Sequence, residues 1–527
     1  MLTSCISKSL CKVLCDMEWD PLSSDFDNIS STSMHLYNPG VREIVSNNCN
    51  EIIDNVLTLT ETSSKWKYTH PMSSVFHGEF KMPLRSEVTP YLHQKYVLDN
   101  IYDEKNKTFA SATIQSPCAS GKSLLSLLII SKVMEVTGAC ALYVTINSTA
   151  IAQVVNQAVK FFHISTDEIL VLDNAESCTP SHLVNRKYKL VIATYQLLTA
   201  SEHPEESKHF FDLLFCIITF GVVILDEAHY SSAKNYKQIY RIKSPLRYGV
   251  SATLKRMDNL LVHLTEYTGP YQIKIERDVL IKQNLIPDVS LQEIHIDEPV
   301  HKDRLMSVRK MELFYDILQR HIGQKQSIIA FFETIHELDN TYSCIRDILT
   351  AQGNGDVLLP TMKGDTDNTT RMALIKDFRE RVNENKPVVL FLSSVGNAAY
   401  DFLCEVVVQI RCSDGSGTIA AQRIGRAQRY IKKSTKHVSY TLVATGTSEL
   451  KHVQSRRDFL DLDNYDTKLI QSSTINTSTP AHVRDHFVNF VMKLGTKHQK
   501  RQRYNNSEKK TTKQPKFSAL KKKIGKY

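Results

Sequence analysis

From Phe80 onward, short apolar runs punctuate the chain between stretches of helical period. Ala112–Gln115, ALYVTI (141–146), KLVIAT (189–194), GVVILDE (221–227) and LRYGVSAT (246–253) form one series. QSIIAFFE (326–333), PVVLFLSS (387–394), CEVVVQI (404–410) and HVSYTLVA (437–444) form a second. Four to eight apolar residues with little in/out alternation suit a strand buried on both faces, and crossover helices between such strands supply the cover. The pattern predicts an α/β fold of parallel sheets in two tandem units. The boundaries it suggests are a weakly patterned N-terminal region (1–80), a first α/β domain (81–270), a polar, thumb-like connecting segment (271–325) with a helix over Arg304–Arg320, and a second α/β domain (326–470). A C-terminal extension (471–527) follows, with an amphipathic helix over Pro480–Leu494 and a basic tail.

Composition narrows this picture. Of 527 residues, 42% are apolar and 23% charged, enough for more than one core and incompatible with global disorder. The net charge of +9 is unevenly placed: residues 497–527 hold twelve Lys or Arg against Glu508 alone, so this tail carries +11 and the rest of the chain sums to −2. A near-neutral body with a cationic end points to a polyanionic partner, with a solvated or nuclear-import tail as the alternative. Eleven Cys are scattered without a CxxC pair, which indicates neither a disulfide framework nor a zinc module. Lys8, Lys12 and Asp16 interrupt the N-terminus before a signal-length apolar core develops, so an intracellular protein is expected. The longest apolar run, 213–225, falls short of the ~20 residues of a spanning helix, so no membrane association is expected.

The chemistry is concentrated in three places. Ala112–Gln115 leads through SPCASGKS into an apolar-periodic helix, and strand, tight loop, Gly-Lys-Ser and helix together make a phosphate-binding loop. Amides of Ala119, Ser120, Gly121 and Ser123 would cradle phosphates, Lys122 would neutralise β and γ oxygens, and the Ser123 hydroxyl would ligate Mg²⁺. The first Gly of the usual GxxxxGK[ST] pattern is Ser116 here. Secondly, GVVILDEAHYSS sets Asp226 and Glu227 at the end of a strand, and the carboxyl edge of a parallel sheet faces the ligand crevice. Asp226 suits an outer-shell Mg²⁺ contact, and Glu227 suits deprotonating an attacking water. Thirdly, AQRIGRAQR spaces Arg423, Arg426 and Arg429 at i, i+3, i+6, which serves either phosphate recognition by guanidinium forks or a solvated basic helix face.

SPCASGKS, ATYQLL, LDEAH, GVSATLKRMDN, SSVGNAAYDF and AQRIGRAQR occur in this order, with Ser-Asp-Gly-Ser-Gly before the last and SRRDFLDLDNYDTKLI after it. The set resembles the superfamily-two DEAD/DEAH-like helicases and, within them, the XPB-type translocases of transcription factor TFIIH, over roughly residues 83–470. The resemblance implies two RecA-like domains with ATP and Mg²⁺ in the cleft between them. It implies that Gln94 reads adenine, with Tyr91 and Leu92 offering a second register. It also implies that Ser251 and Thr253 couple hydrolysis to domain movement, that His229 joins them across the cleft, and that Gly396 and Asp401 sense nucleotide and strand. Gln422, Arg423, Arg426 and Arg429 would complete the site, the last two as arginine fingers. The segment SRRDFLDLDNYDTKLI would correspond to the family's helix beyond motif six.

Backbone contacts to nucleic acid are expected at Asn147, Ser148, Thr194, Lys363 and Gly364. Two departures stand out. The family's Arg-Glu-Asp element reads Arg256-Met257-Asp258, without the central acid, and fewer than 90 residues precede the first motif, so any N-terminal domain is expected to be rudimentary. The implied function is an ATP-dependent translocase or helicase, directed to DNA rather than RNA and working with transcription-complex proteins. Its expected location is the nucleus of a eukaryotic cell, or the cytoplasm or virion for a viral gene. An RNA helicase, and a degenerate ATPase acting as a structural subunit of a transcription complex, are the competing readings. The presence of Lys122, Asp226, Glu227 and Arg426 argues against the latter.

Overall fold

The computed structural model describes residues 69–71 and 79–492, except 175–177, 179–187, 201–209, 212–213, 216–217, 232–233, 253, 255–260, 298–305, 394–401, 403, 414, 429–435 and 462–464. The chain divides into two compact units, Met1–Ile286 and Pro287–Tyr527.

In the first unit, β1 (Thr69–Pro71), β2 (Tyr102–Asp103) and β3 (Thr108–Ala110) make a small antiparallel sheet. The main sheet holds β4 (Ala112–Gln115), β5 (Ala141–Thr145), β6 (Ile169–Leu172), β7 (Leu190–Thr194), β8 (Val222–Asp226), β9 (Leu246–Ser251) and β10 (Gln272–Lys274). These seven strands lie in the order β10-β4-β9-β8-β5-β7-β6, all parallel. Its inner strands are buried on both faces, and alternate residues feed two different cores. Tyr143, Ile192 and Ile224 pack on one side with α1 (Leu92–Ile101), α2 (Lys122–Thr137) and α3 (Ser148–Phe161), whereas Leu142, Val144, Val191 and Val223 pack on the other. That is the period-2 signature of a doubly covered parallel sheet. α2 is apolar nearly all round, as a helix enclosed by its own sheet must be, and it ends on Gly138 at φ 65, the left-handed cap glycine favours. Register puts Gln115 beside Ser251, Thr145 beside Thr194 and Asp226 beside Val250, so the motif residues share one carboxyl edge.

The second unit has a six-stranded parallel sheet of β11 (Val289–Ile296), β12 (Ser327–Phe331), β13 (Val388–Leu392), β14 (Val406–Gln409), β15 (His437–Ala444) and β16 (Thr467–Gln471), ordered β13-β12-β14-β15-β11-β16. Helices α4 (Val308–Gly323), α5 (Ile335–Ala351), α6 (Asn368–Asn383), α7 (Gly417–Ile424) and α8 (Glu449–Asp461) accompany it.

Three expectations from the sequence change here. The stretch 271–325, read as a connecting segment from its polarity, is divided between the units: β10 completes the first sheet, while β11 and α4 belong to the second. Polar residues such as Gln272, Gln292, Glu293 and His295 interrupt the apolar signal of these strands. SRRDFLDLDNYDTKLI is not one helix, because its first half ends α8 and its second half enters the edge strand β16. The stretch read as an extension from 471 is part of the second core as far as the helical residues 481–492. Val483 and Phe487 are buried there, Phe487 sits 5.9 Å from the Tyr315 ring of α4, and Arg309 donates to the carbonyl of Ser472 at 2.6 Å. Among the described residues no helix is long and apolar enough to cross a membrane. The basic tail lies outside the described residues.

Candidate active site

The loop between β4 and α2 is held from three directions. Ser116, standing where the usual pattern has Gly, is buried; its amide donates to Ser251 O (2.9 Å) and its hydroxyl bonds Ser120 Oγ (2.7 Å). The hydroxyl therefore ties the two ends of the loop together. Ala119 (φ 63) and Gly121 (φ 83) take left-handed conformations, which turn the chain sharply enough to start α2 directly at Lys122. At Gly121 an added Cβ would meet the end of the Gln94 side chain, Nε2, at 2.9 Å, and the left-handed φ is what favours glycine there. From α1, His93 Nε2 donates to Ser120 O (2.8 Å) and Gln94 Nε2 donates to Gly121 O (3.3 Å), while Gln94 Oε1 accepts from the Tyr91 amide (3.0 Å). Burial holds the His93 imidazole below its ordinary pKa, so it is neutral near pH 7 and Nε2 can be the donating nitrogen. Lys122 Nζ arches back to Pro117 O (3.4 Å).

Opposite the loop, Asp226 ends β8. Its Oδ2 accepts from Thr145 Oγ1 (3.3 Å), its Oδ1 from the Glu227 amide (3.1 Å), and its carbonyl from the Tyr195 hydroxyl (2.9 Å). Burial, then the neighbouring charge of Glu227, raises the Asp226 pKa to about 6, with Lys122 and Tyr143 opposing the shift. Glu227 has φ 48, which swings its carboxylate out of the strand toward Ser251 Oγ (3.5 Å) and His229 Nδ1 (3.5 Å). His229 Nδ1 bonds Ser251 Oγ at 2.9 Å.

The raised pKa carries a stability prediction. Because the folded state holds the Asp226 proton more tightly than the unfolded chain, stability falls as pH rises from about 4 through about 6, and above that the desolvated charge costs on the order of 1–3 kcal/mol. Asp226→Asn should therefore melt several degrees above the parent at pH 7.5 without nucleotide, and that advantage should vanish as the pH approaches 4. Melting curves with EDTA present check this; a difference independent of pH would remove the burial argument.

In the second unit, α7 is capped by Ser416, whose Oγ accepts from the Ile419 amide (3.3 Å), and passes into a 3-10 turn at Gly425–Ala427. Arg423 is buried, 2.9 Å from Glu333 Oε1 and stacked 5.0 Å over Phe331. Gln422 and Arg426 are partly exposed. The three-arginine spacing is thus no uniform solvated face, since its first member is tied into the core.

Residues 87–256 match the family model of the type III restriction enzyme, res subunit, and residues 305–522 match that of the ERCC3/RAD25/XPB C-terminal helicase. The chain is 25% identical over 411 residues to the general transcription and DNA repair factor IIH helicase/translocase subunit XPB of Encephalitozoon cuniculi, covering 73% of this chain and 56% of that protein. It is 23% identical over 406 residues to the DNA 3'-5' helicase XPB of Kineococcus radiotolerans, covering 74% and 66%. The chain is thus similar to the superfamily-two helicases of the XPB type through both units. It spans little more than half the length of the Encephalitozoon relative. S. cerevisiae Dbp5 bound to RNA and ADP BeF3 has a similar fold, with a TM-score of 0.50 and 13% identity over 76% of this chain and 94% of that one. The two parallel sheets with their helices are accordingly RecA-like domains.

The first unit brings Gln94, Ala119, Ser120, Gly121, Lys122, Ser123, Asp226, Glu227, His229 and Ser251 to one sheet edge. Thr253, Gly396, Asp401, Arg429 and the Arg256-Met257-Asp258 element lie outside the described residues. The side chains proposed to grip nucleic acid have local partners. Asn147 caps α3 by accepting from the Ala150 amide, Thr194 accepts from the Leu197 amide, and Lys363 pairs with Asp339 at 2.8 Å. Helix N-terminal amides beside them are what such positions can offer a phosphate.

Sequence reasoning missed His93, Thr145 and Tyr143. Thr145 could have been found, since it closes a predicted strand of the same sheet; nothing in the sequence ties His93 to Ser120. The donor set suits Mg²⁺. Two adjacent carboxylates with Ser123 and Thr145 hydroxyls are hard oxygen ligands, and the charge at Asp226 is disfavoured unless a cation joins it.

Proposed function

We propose that the chain is an ATP-dependent DNA translocase or helicase that acts where duplex is opened for transcription, hydrolysing ATP to ADP and phosphate. The observation that carries this reading is the convergence of loop, Lys122, Asp226 and Glu227 on one carboxyl edge, with Ser251 and His229 bonded beside them. The loop amides and Lys122 hold the phosphates. Ser123 and Asp226 would hold Mg²⁺, which when bound neutralises charge on the phosphate oxygens. Glu227 orients a water and takes its proton as the water oxygen bonds the γ-phosphorus and the bond to the β–γ bridging oxygen breaks. Gln94 serves adenine from beside the loop it supports, and Arg426 and Arg429, with Gln422, stabilise the transferring phosphoryl group. Ser251, bonded to both His229 and the Glu227 carboxylate, links the hydrolytic base to the β9 segment and thereby to movement.

The XPB-type resemblance supports DNA as the track, TFIIH-like transcription proteins as partners, and the nucleus as the place of work in a eukaryotic host. Turnover measured alone and with duplex DNA, single-stranded DNA and RNA tests the reading. Stimulation by DNA is the expected result. Stimulation by RNA alone would make the chain an RNA helicase, and no turnover under any condition would leave it a structural subunit.

A further inference from the structure

Tyr143 is wholly buried in the middle of β5, with its ring packed in the core that β5 shares with α2 and β8. Its hydroxyl makes no fully formed hydrogen bond, and the polar groups that act on it are Asp226 at the end of β8 and Ser126 and Ser123 in the first turns of α2. Ser126 is equally buried and its hydroxyl is in the same condition. A buried hydroxyl without a complete partner is destabilising, and Phe would fill the same space without that cost. Burial and the charge of Asp226 push the phenol well above its ordinary pKa, so it is a donor throughout the working pH range. The Asp226 carboxylate also accepts from Thr145 and from the Glu227 amide.

We propose that Tyr143 is a positioning residue for the metal pair: its hydroxyl bridges Asp226 and Ser123 from beneath, so that both oxygens converge on the Mg²⁺ of the bound nucleotide. This rests on the reading of Ser123 and Asp226 as the Mg²⁺ residues. It adds a component from β5 that neither the loop nor the Asp-Glu pair supplies.

The test measures binding of a fluorescent ADP analogue to the full chain in excess Mg²⁺ and in EDTA, together with the Mg²⁺ concentration at half effect and the melting temperature. The parent protein should bind more tightly with Mg²⁺. Tyr143→Phe should keep the EDTA affinity and melt no lower than the parent, but raise the Mg²⁺ midpoint by about 10-fold or more, the usual consequence of losing a group that orients a metal ligand. Tyr248→Phe removes another buried phenol that lacks a fully formed bond, from the neighbouring strand β9, and should leave the midpoint unchanged. An unaltered midpoint in Tyr143→Phe, or an equal shift in Tyr248→Phe, overturns the proposal. A parent protein whose affinity ignores Mg²⁺ would instead remove the metal reading, and the role of Tyr143 with it.

Discussion

Glu227→Gln is expected to bind ATP as the parent does while turnover falls by about 10²- to 10⁴-fold, the usual contribution of a positioned general base. The substitution keeps the size of the side chain and one acceptor oxygen, so the contacts of Glu227 with Ser251 Oγ and His229 Nδ1, each 3.5 Å, can be conserved in shape. It also leaves the backbone alone, including the left-handed φ of 48 that points this residue away from the strand. What disappears is the negative charge, and with it the capacity to take a proton from water. Lys122→Ala should behave differently, because the loop then has no cation for the phosphates and binding is weakened along with turnover. Equilibrium binding of a fluorescent nucleotide, set beside single-turnover phosphate release, separates the two. Near-parental release by Glu227→Gln would mean that the end of β8 is not where water is activated.

Much of this site could be read from residue order alone, and the limits of that reading have physical causes. A strand buried on both faces announces itself, so β5, β7, β8, β9, β12, β13 and β15 fall within the runs that were predicted. β10, β11 and β16 were not anticipated. They lie toward sheet edges or carry polar residues, and β16, as TKLIQ, has no apolar run to reveal it. Motifs disclose which residues reach the ligand, since spacing along a strand-loop-helix unit fixes their direction. They do not disclose what holds those residues from behind. Ser116 looked like a defect in the glycine pattern, and its bond to Ser120 shows that the loop is closed by a hydroxyl instead. The bond from His93 to Ser120 O spans 27 positions, and the Arg423–Glu333 pair spans 90. Partners so distant are matched by the fold and leave no local signature.

That last pair sharpens the second large expectation. Arg426→Ala should lower turnover by about 10³- to 10⁵-fold while changing ATP affinity only slightly, since a finger acts on the charge of the transition state rather than on the bound ground state. Its melting temperature should be nearly that of the parent, because the residue sits in a short, partly exposed 3-10 turn. Arg423→Ala will also lose activity, for another reason. Its guanidinium is buried, bonded to Glu333 Oε1 at 2.9 Å and stacked on Phe331, so truncation leaves a carboxylate whose side chain is 9% exposed with the more distant Arg456 at 3.9 Å. Breaking such a pair on one side typically costs about 3–5 kcal/mol, and replacing both partners with apolar residues recovers most of it. The double variant Arg423→Met/Glu333→Leu should thus regain ATP hydrolysis and part of the melting temperature if Arg423 is purely architectural, the remainder being lost because buried Arg456 also faces Glu333. A double variant that is stable yet hydrolytically dead would instead return Arg423 to the phosphate site. If Arg426→Ala kept its maximal rate and merely bound ATP less well, Arg426 would be a binding contact, and the transition-state role would pass to Arg429.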